Sequence, residues 1–200
     1  MRFTATESAL LAFIGAFVVL SSNQDGRSRS GCRLVERYAS AQQVEELALK
    51  RRARLREKKT VCFFDLDDTL VDTSTVVGRY RNMALYKGIP HMIALFHALQ
   101  QHSHMVILTA RPPGGEVLAI KNCAHVGIKL RARDEVVICP ADQKAAWREA
   151  YCNQHRMRAL VLAGDRHTDV NGPAGAIALR VHPGRVKNQV CGDCTLVEPN

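Results

Sequence analysis

The chain of 200 residues contains no internal repeat and no long low-complexity tract, which excludes solenoids and other repeat architectures. It also lacks a disulfide framework. Its seven cysteines are an odd number without regular spacing. Cys62 and Cys139 fall inside predicted strands, where a free thiol behaves as a small hydrophobe, and the pattern fits a reducing compartment. Cys191 and Cys194 have no second Cys/His pair nearby, so they are expected to be a tail pair and not half of a zinc ribbon. Nor is there a long apolar run. Residues 9–20 are continuously apolar for twelve positions, the length of a signal-peptide core and short of a comfortable span. No small-x-small cleavage site follows. Arg2 precedes the run and Arg27, Arg29, Arg33 and Arg37 follow it, a bias that keeps the following domain cytosolic. The expectation is membrane association through residues 9–20 with a cytosolic catalytic domain. A cleaved signal peptide, a nuclear protein and a buried N-terminal helix are the alternatives.

Acidic residues are outnumbered, 19 against 28 Lys/Arg, for a net charge of +9. The excess is local. Residues 26–59 hold 11 Lys/Arg and 4 Asp/Glu, whereas residues 60–200 hold 16 and 13. Seven of the ten residues from Lys50 to Lys59 are basic, which suits an anionic partner such as lipid head groups or nucleic acid, or a solvated helix face.

With 46% hydrophobic and 24% charged residues, the composition is that of a globular protein, and the length suits one domain with an appendage. Four segments are expected: residues 1–25, hydrophobic; 26–59, a polar linker and a basic helix over about 40–57; 60–185, the catalytic domain; and 186–200, a tail. From residue 60, apolar strand-like runs (60–64, 104–109, 135–139, 159–163, 177–181) alternate with helical patterns (91–102, 114–125, 141–154, about 169–176). Such alternation is the signature of βαβ units. It predicts a Rossmann-like, doubly wound α/β sandwich of three layers around a mainly parallel five-stranded sheet.

Val61-Cys62-Phe63-Phe64 reads as a strand buried on both faces, and it ends abruptly in Asp65-Leu66-Asp67-Asp68-Thr69. Open α/β sheets place their ligands at the carboxyl ends of strands. Carboxylates this close repel one another, and a divalent cation of the Mg²⁺ type, with oxygen ligands, relieves that repulsion. Three further signals lie in corresponding places. One strand ends in Thr109-Ala110-Arg111, another in Gly164-Asp165-Arg166-His167-Thr168-Asp169, and Lys144 sits near the start of a helix. Parallel topology can bring all four to one crevice, where a metal would hold a phosphate while an aspartate attacks it.

These four segments resemble, in order, the motifs of the haloacid dehalogenase (HAD) superfamily of phosphohydrolases over about residues 60–182. Asp65-x-Asp67-x-Thr69 is similar to its first motif, Thr109 to the second, Lys144 to the third, and Gly164-Asp165-x-x-x-Asp169 to the fourth. The resemblance implies a nucleophilic role for Asp65 through an aspartyl-phosphate, and acid–base work for Asp67. It implies Mg²⁺ held by Asp65, Asp165 and the backbone carbonyl of Asp67. Thr109 and a following N–H, at Ala110 or Arg111, would bind the phosphoryl group, and Lys144 would neutralise its charge. Asp169 and Thr69 would act from behind, Asp169 by orienting Lys144 or a metal-bound water.

Other readings of single residues are blander. Thr69 could cap a turn, and Asp68 is expected to be exposed or locally bonded. Lys129 competes with Lys144 for the third motif. Arg111 could contact substrate, cap a helix or pair at the surface. His167, His91, His97, His102 and His104 read as surface histidines and Trp147 as packing. Only nineteen residues, Val71 to Ile89, separate the first motif from the first crossover helix, enough for a flap but no cap domain. The resemblance is therefore to the capless, acid-phosphatase-like branch, to which Lys144-x-x-x-Arg148 also points. It implies a Mg²⁺-dependent phosphomonoesterase acting on a phosphorylated small molecule. A 3′-phosphatase of oligonucleotide ends, aided by residues 50–59, is the second reading. A non-catalytic, membrane-tethered phosphate-binding module is the third.

Overall fold

Four apolar side chains in succession, Val61 to Phe64, need cover on both sides, because neighbours along a strand point to opposite faces. The structure, a computed structural model, supplies that cover and describes residues 37–39, 41–55, 59–74, 85–181 and 194–197. Along the chain it runs β1 (Arg37–Ala39), α1 (Ala41–Arg54), β2 (Thr60–Phe64), β3 (Val71–Asp72), β4 (Lys87–Gly88), α2 (Pro90–Gln100) and β5 (His104–Thr109). It continues through α3 (Glu116–His125), β6 (Glu135–Ile138), α4 (Lys144–His155), β7 (Arg158–Gly164), α5 (His167–Val170), β8 (Ile177–Val181) and β9 (Cys194–Val197).

Cys62 and Phe64 join one buried cluster with Val44 and Ala48 of α1, Met92, Leu95, Phe96 and Leu99 of α2, and Ala119 and Cys123 of α3. Val61 and Phe63 join the other, with Tyr151 and Cys152 of α4 and the half-buried Trp147. Phe64 meets Phe96 edge-on at 5.3 Å on the first face, and Phe63 meets Trp147 edge-on at 6.4 Å on the second. Each fully buried Phe contributes about 1.5–3 kcal/mol of apolar transfer. The result is helix, sheet and helix in three layers. Trp147 is a packing residue, as its place on a helix suggested. In β7 the register against β2 shifts between Val61 and Cys62, and Leu160 and Val161 both turn to the α1–α3 side.

The sheet has seven strands in the order β1-β9-β8-β7-β2-β5-β6. The five from β8 to β6 are parallel, as the βαβ alternation predicted. From β2 the chain winds outward through β5 and β6, then crosses back to β7 and β8. The switch point is therefore beside β2, where a doubly wound sheet opens its crevice.

Several expectations are corrected. β9 and β1 extend the sheet by antiparallel pairing beyond β8, so short pieces of the tail and the linker join it. The helix expected over 169–176 is a single turn, His167–Val170. Pro173 and the glycines at 172 and 175, the latter at φ +83°, break any continuation. α3 and α4 begin at Glu116 and Lys144, two and three residues later than the periodicity indicated. α1 is part of the domain's core and not a detached linker helix, since Val44 and Ala48 are wholly buried.

Between Val71 and Ile89 the described residues form a two-stranded ribbon, β3 against β4, with no folded cap among them. The apolar run 9–20, the linker 21–35, Cys32, residues 56–58 of the basic run and Cys191 lie outside the described residues, as does the side chain of Cys194. Among the described residues, no helix is long and apolar enough to cross a membrane. Cys62, Cys123, Cys139 and Cys152 are buried free thiols.

Candidate active site

Asp65 follows the last residue of β2, and its backbone N–H donates to the Ala163 carbonyl at 2.8 Å, which ties the ends of β2 and β7 together. The turn after it is tight. The Leu66 carbonyl accepts from Leu70 and Val71 at 2.9 and 3.0 Å, and Asp68 adopts φ +61°, a conformation aspartate tolerates better than most residues. Asp68 Oδ1 accepts from the Thr73 hydroxyl at 2.7 Å, which anchors the ribbon to the turn. Chain reversal here aims Asp65 and Asp67 into a cavity of about 240 Å³.

Lys144, the first residue of α4, is buried and donates to Oδ1 of Asp65 at 2.6 Å and to Oδ1 of Asp169 at 2.5 Å. Lys129, the competing lysine, contributes only its carbonyl, to Gln100. Asp169 reaches Lys144 because Gly164 lets it. A Cβ on Gly164 would lie 2.0 Å from Asp169 Cβ, so the glycine of Gly164-Asp165-x-x-x-Asp169 is required by close approach. Asp169 also accepts from the Arg166 backbone N–H at 3.0 Å.

Oxygens of Asp65, Asp165 and Asp169 lie within 4.8 Å of one another. Lys144, and the exposed Arg166 at 3.9 Å from Asp165, offset two of the three carboxylates, so the cluster keeps a net negative charge that a cation would relieve. Burial, with Asp169 and Asp165 adding repulsion against the opposing pull of Lys144, pushes Asp65 up to about 7. Burial and Asp169 push Asp165 up to about 6. An all-oxygen donor set with this charge deficit fits Mg²⁺. The resemblance implies Asp65, Asp165 and the Asp67 carbonyl as ligands and Asp169 as the partner of Lys144; Asp169 does bind Lys144, and its carboxylate also lies within the same cluster.

The Asp67 carboxylate is engaged elsewhere. Arg111 grips it with two parallel hydrogen bonds, Nε to Oδ2 at 2.9 Å and Nη2 to Oδ1 at 2.7 Å, and the Thr109 hydroxyl donates to Oδ2 at 3.3 Å. Thr109 is fully buried beneath the cavity, while Ala110 and Arg111 line it. Thr69 is buried, with no hydrogen-bond partner for its hydroxyl among the described residues, and does not line the cavity. Tyr86 and Asp68 line the cavity and were not anticipated; Tyr86 comes from the ribbon, whose path the sequence could not give. His104 binds Tyr151 and Glu135 at the far end of β5, and His167 is exposed.

Lys59, the described end of the basic run, lies away from the site. Lys59 immediately precedes β2, and Asp65 immediately follows it, so the five-residue strand, about 17 Å at the usual rise, separates them.

No family model matches the chain, and no curated protein matches it. Solved structures do, among them these two. One is the class C acid phosphatase from Bacillus anthracis, with TM-score 0.53 and 20% identity over 67% of this chain and 66% of that one. The other is the same enzyme with tungstate bound, with TM-score 0.53 and 18% identity over 67% and 65%. The match thus spans just under two thirds of their length. The chain shares the fold of these structures, the Rossmann-like α/β sandwich that the βαβ alternation led one to expect.

Proposed function

We propose that the chain is a Mg²⁺-dependent phosphomonoester hydrolase that works through an aspartyl-phosphate. One observation carries the reading: Asp65, Asp165 and Asp169 converge around Lys144 at the strand ends, with Asp67 two residues from Asp65. The likeness to acid phosphatases, a fold-level warrant, agrees with it.

Asp65 attacks phosphorus, so that a bond forms from its carboxylate oxygen as the bond to the leaving oxygen breaks. Asp67 gives that leaving oxygen its proton, then takes one from the water that hydrolyses the acyl phosphate. The Arg111 grip on both Asp67 oxygens is that of the ionised carboxylate, the state Asp67 reaches once its proton has gone to the leaving oxygen. Lys144 neutralises charge on the phosphoryl oxygens, and Asp169 keeps its ammonium aimed. The Ala110 backbone N–H is the candidate donor to the phosphoryl group, because that of Arg111 donates to the Thr109 hydroxyl at 3.4 Å. Asp65, Asp165 and Asp169 would hold the metal, which offsets the repulsion between carboxylate and phosphate.

The cavity, without a cap among the described residues, suits a phosphorylated small molecule. Hydrolysis of an aryl phosphate with and without Mg²⁺, in the wild type and in Asp65→Asn, tests the reading. Metal-dependent turnover abolished by the substitution is expected. Equal rates in the two proteins would rule out the nucleophile, and absence of turnover in the wild type would leave a phosphate-binding module.

A further inference from the structure

All the parallel strands start on the face opposite the cavity, and that face is basic. Arg158 opens β7, Lys59 precedes β2, and Arg133 lies just before β6. Gly175, just before β8, lies against the Arg51 guanidinium, which places the end of α1, with Arg52 and Arg54, on the same face. Arg156 ends α4 there. Across five strands this row is roughly 20 Å wide.

Arg52, Arg54, Lys59, Arg133, Arg156 and Arg158 are all exposed, and none forms an ion pair with another described residue. The acids nearby are already engaged. Asp134 accepts from Arg131 and Gln100, and Glu135 from Tyr151, with His104 beside it. Burial first, and the neighbouring Arg54 second, hold the Arg51 guanidinium below its ordinary pKa.

The chain also enters the fold at this face. β1 is antiparallel to β9, which is antiparallel to β8, so β1 runs parallel to β8 and its first residue, Arg37, is at the end nearer the basic row. The sequence ahead of Arg37 carries the apolar run 9–20 and Arg27, Arg29 and Arg33. No described Phe, Trp or Tyr side chain is exposed, so the stacking platforms that single-stranded nucleic acid uses are missing among the described residues.

We propose that this face docks on an anionic lipid surface, with the cavity turned outward to solvent. Each basic residue brought near an anionic leaflet strengthens partitioning about fivefold, less where salt screens it. The catalytic groups lie at the other end of the strands, so docking leaves them accessible.

The test is co-sedimentation of the full chain with phosphatidylcholine vesicles, with and without phosphatidylserine, at low and physiological salt. The wild type is expected to prefer the anionic vesicles, and the variant Arg52→Gln/Arg54→Gln/Arg133→Gln/Arg158→Gln to lose at least roughly twentyfold of that preference. Its phosphatase rate should be unchanged. If this variant fails to fold by circular dichroism, Lys59→Gln/Arg156→Asn carries the same test with a smaller loss. Three results would overturn the proposal: equal binding to both vesicle types, an anionic preference that survives neutralisation, or tighter binding to duplex DNA than to anionic vesicles at matched salt.

Discussion

Gly164→Ala places one methyl group where the site has no room for it. The new Cβ would stand 2.0 Å from Asp169 Cβ, whereas ordinary contacts begin at 3.4 Å, so one of the two must retreat by about 1.4 Å. Gly164 does not adopt a positive φ, so the cost is steric and not conformational. The next nearest atom is Asp169 Cγ, at 2.7 Å, so the displacement falls on the carboxylate that holds Lys144 at 2.5 Å. A retreat of that size breaks the hydrogen bond. Overpacking of this kind costs about 1–3 kcal/mol of stability, and a 1 Å misplacement near reacting groups costs on the order of 10²-fold in rate. Steady-state kinetics and a thermal melt read the two effects separately. A variant with kcat within about twofold of wild type and an unchanged Tm would refute the idea that Gly164 sets the position of Asp169.

The pKa shifts make metal binding depend on pH. Without metal, Asp65 and Asp165, raised to about 7 and 6, bind more protons folded than unfolded, so stability from these groups falls as pH rises from the ordinary carboxylate range through 7. Mg²⁺ needs both deprotonated, so the rise in Tm that it produces should be larger near pH 8 than near pH 5, and equal shifts would contradict the proposed ligands. Arg111→Lys cannot make two parallel hydrogen bonds to Asp67, and kcat should fall about 10- to 100-fold with a smaller change in KM; an unchanged kcat would sever Arg111 from Asp67's role. Lys144→Met leaves two buried carboxylates without their ammonium. The metal-free protein should lose about 3–5 kcal/mol in denaturant titration, partly restored by Mg²⁺, and no loss would contradict the charge balance drawn for the site.

The two central strands could be read from the sequence because burial on both faces leaves continuous apolar runs, and β2 and β5 fall where those runs begin and end. β1 and β9 could not. They are three and four residues long, too short to show a period, and only pairing at a distant edge makes them strands. A helical pattern over about 169–176 yields only the single turn of α5, because Gly172 and Pro173 stop it. In the site, clustered aspartates after a buried strand pointed to the cavity that Asp65 and Asp67 line. Contacts across long separations stayed hidden. Nothing local joins Arg111 to Asp67, 44 positions away, or places the Asp169 carboxylate beside that of Asp65. The glycine of the fourth motif was the available clue, because a glycine at a strand end without positive φ announces that something packs against it.

The most direct measurement is mass spectrometry of the protein quenched in acid during turnover of an aryl phosphate with Mg²⁺. The account predicts one added phosphoryl group on the peptide that contains Asp65, absent in Asp65→Asn and accumulating in Asp67→Asn, which cannot activate the hydrolytic water. A turning-over enzyme that carries no phosphoryl group on that peptide, or carries it on another residue, would contradict the account.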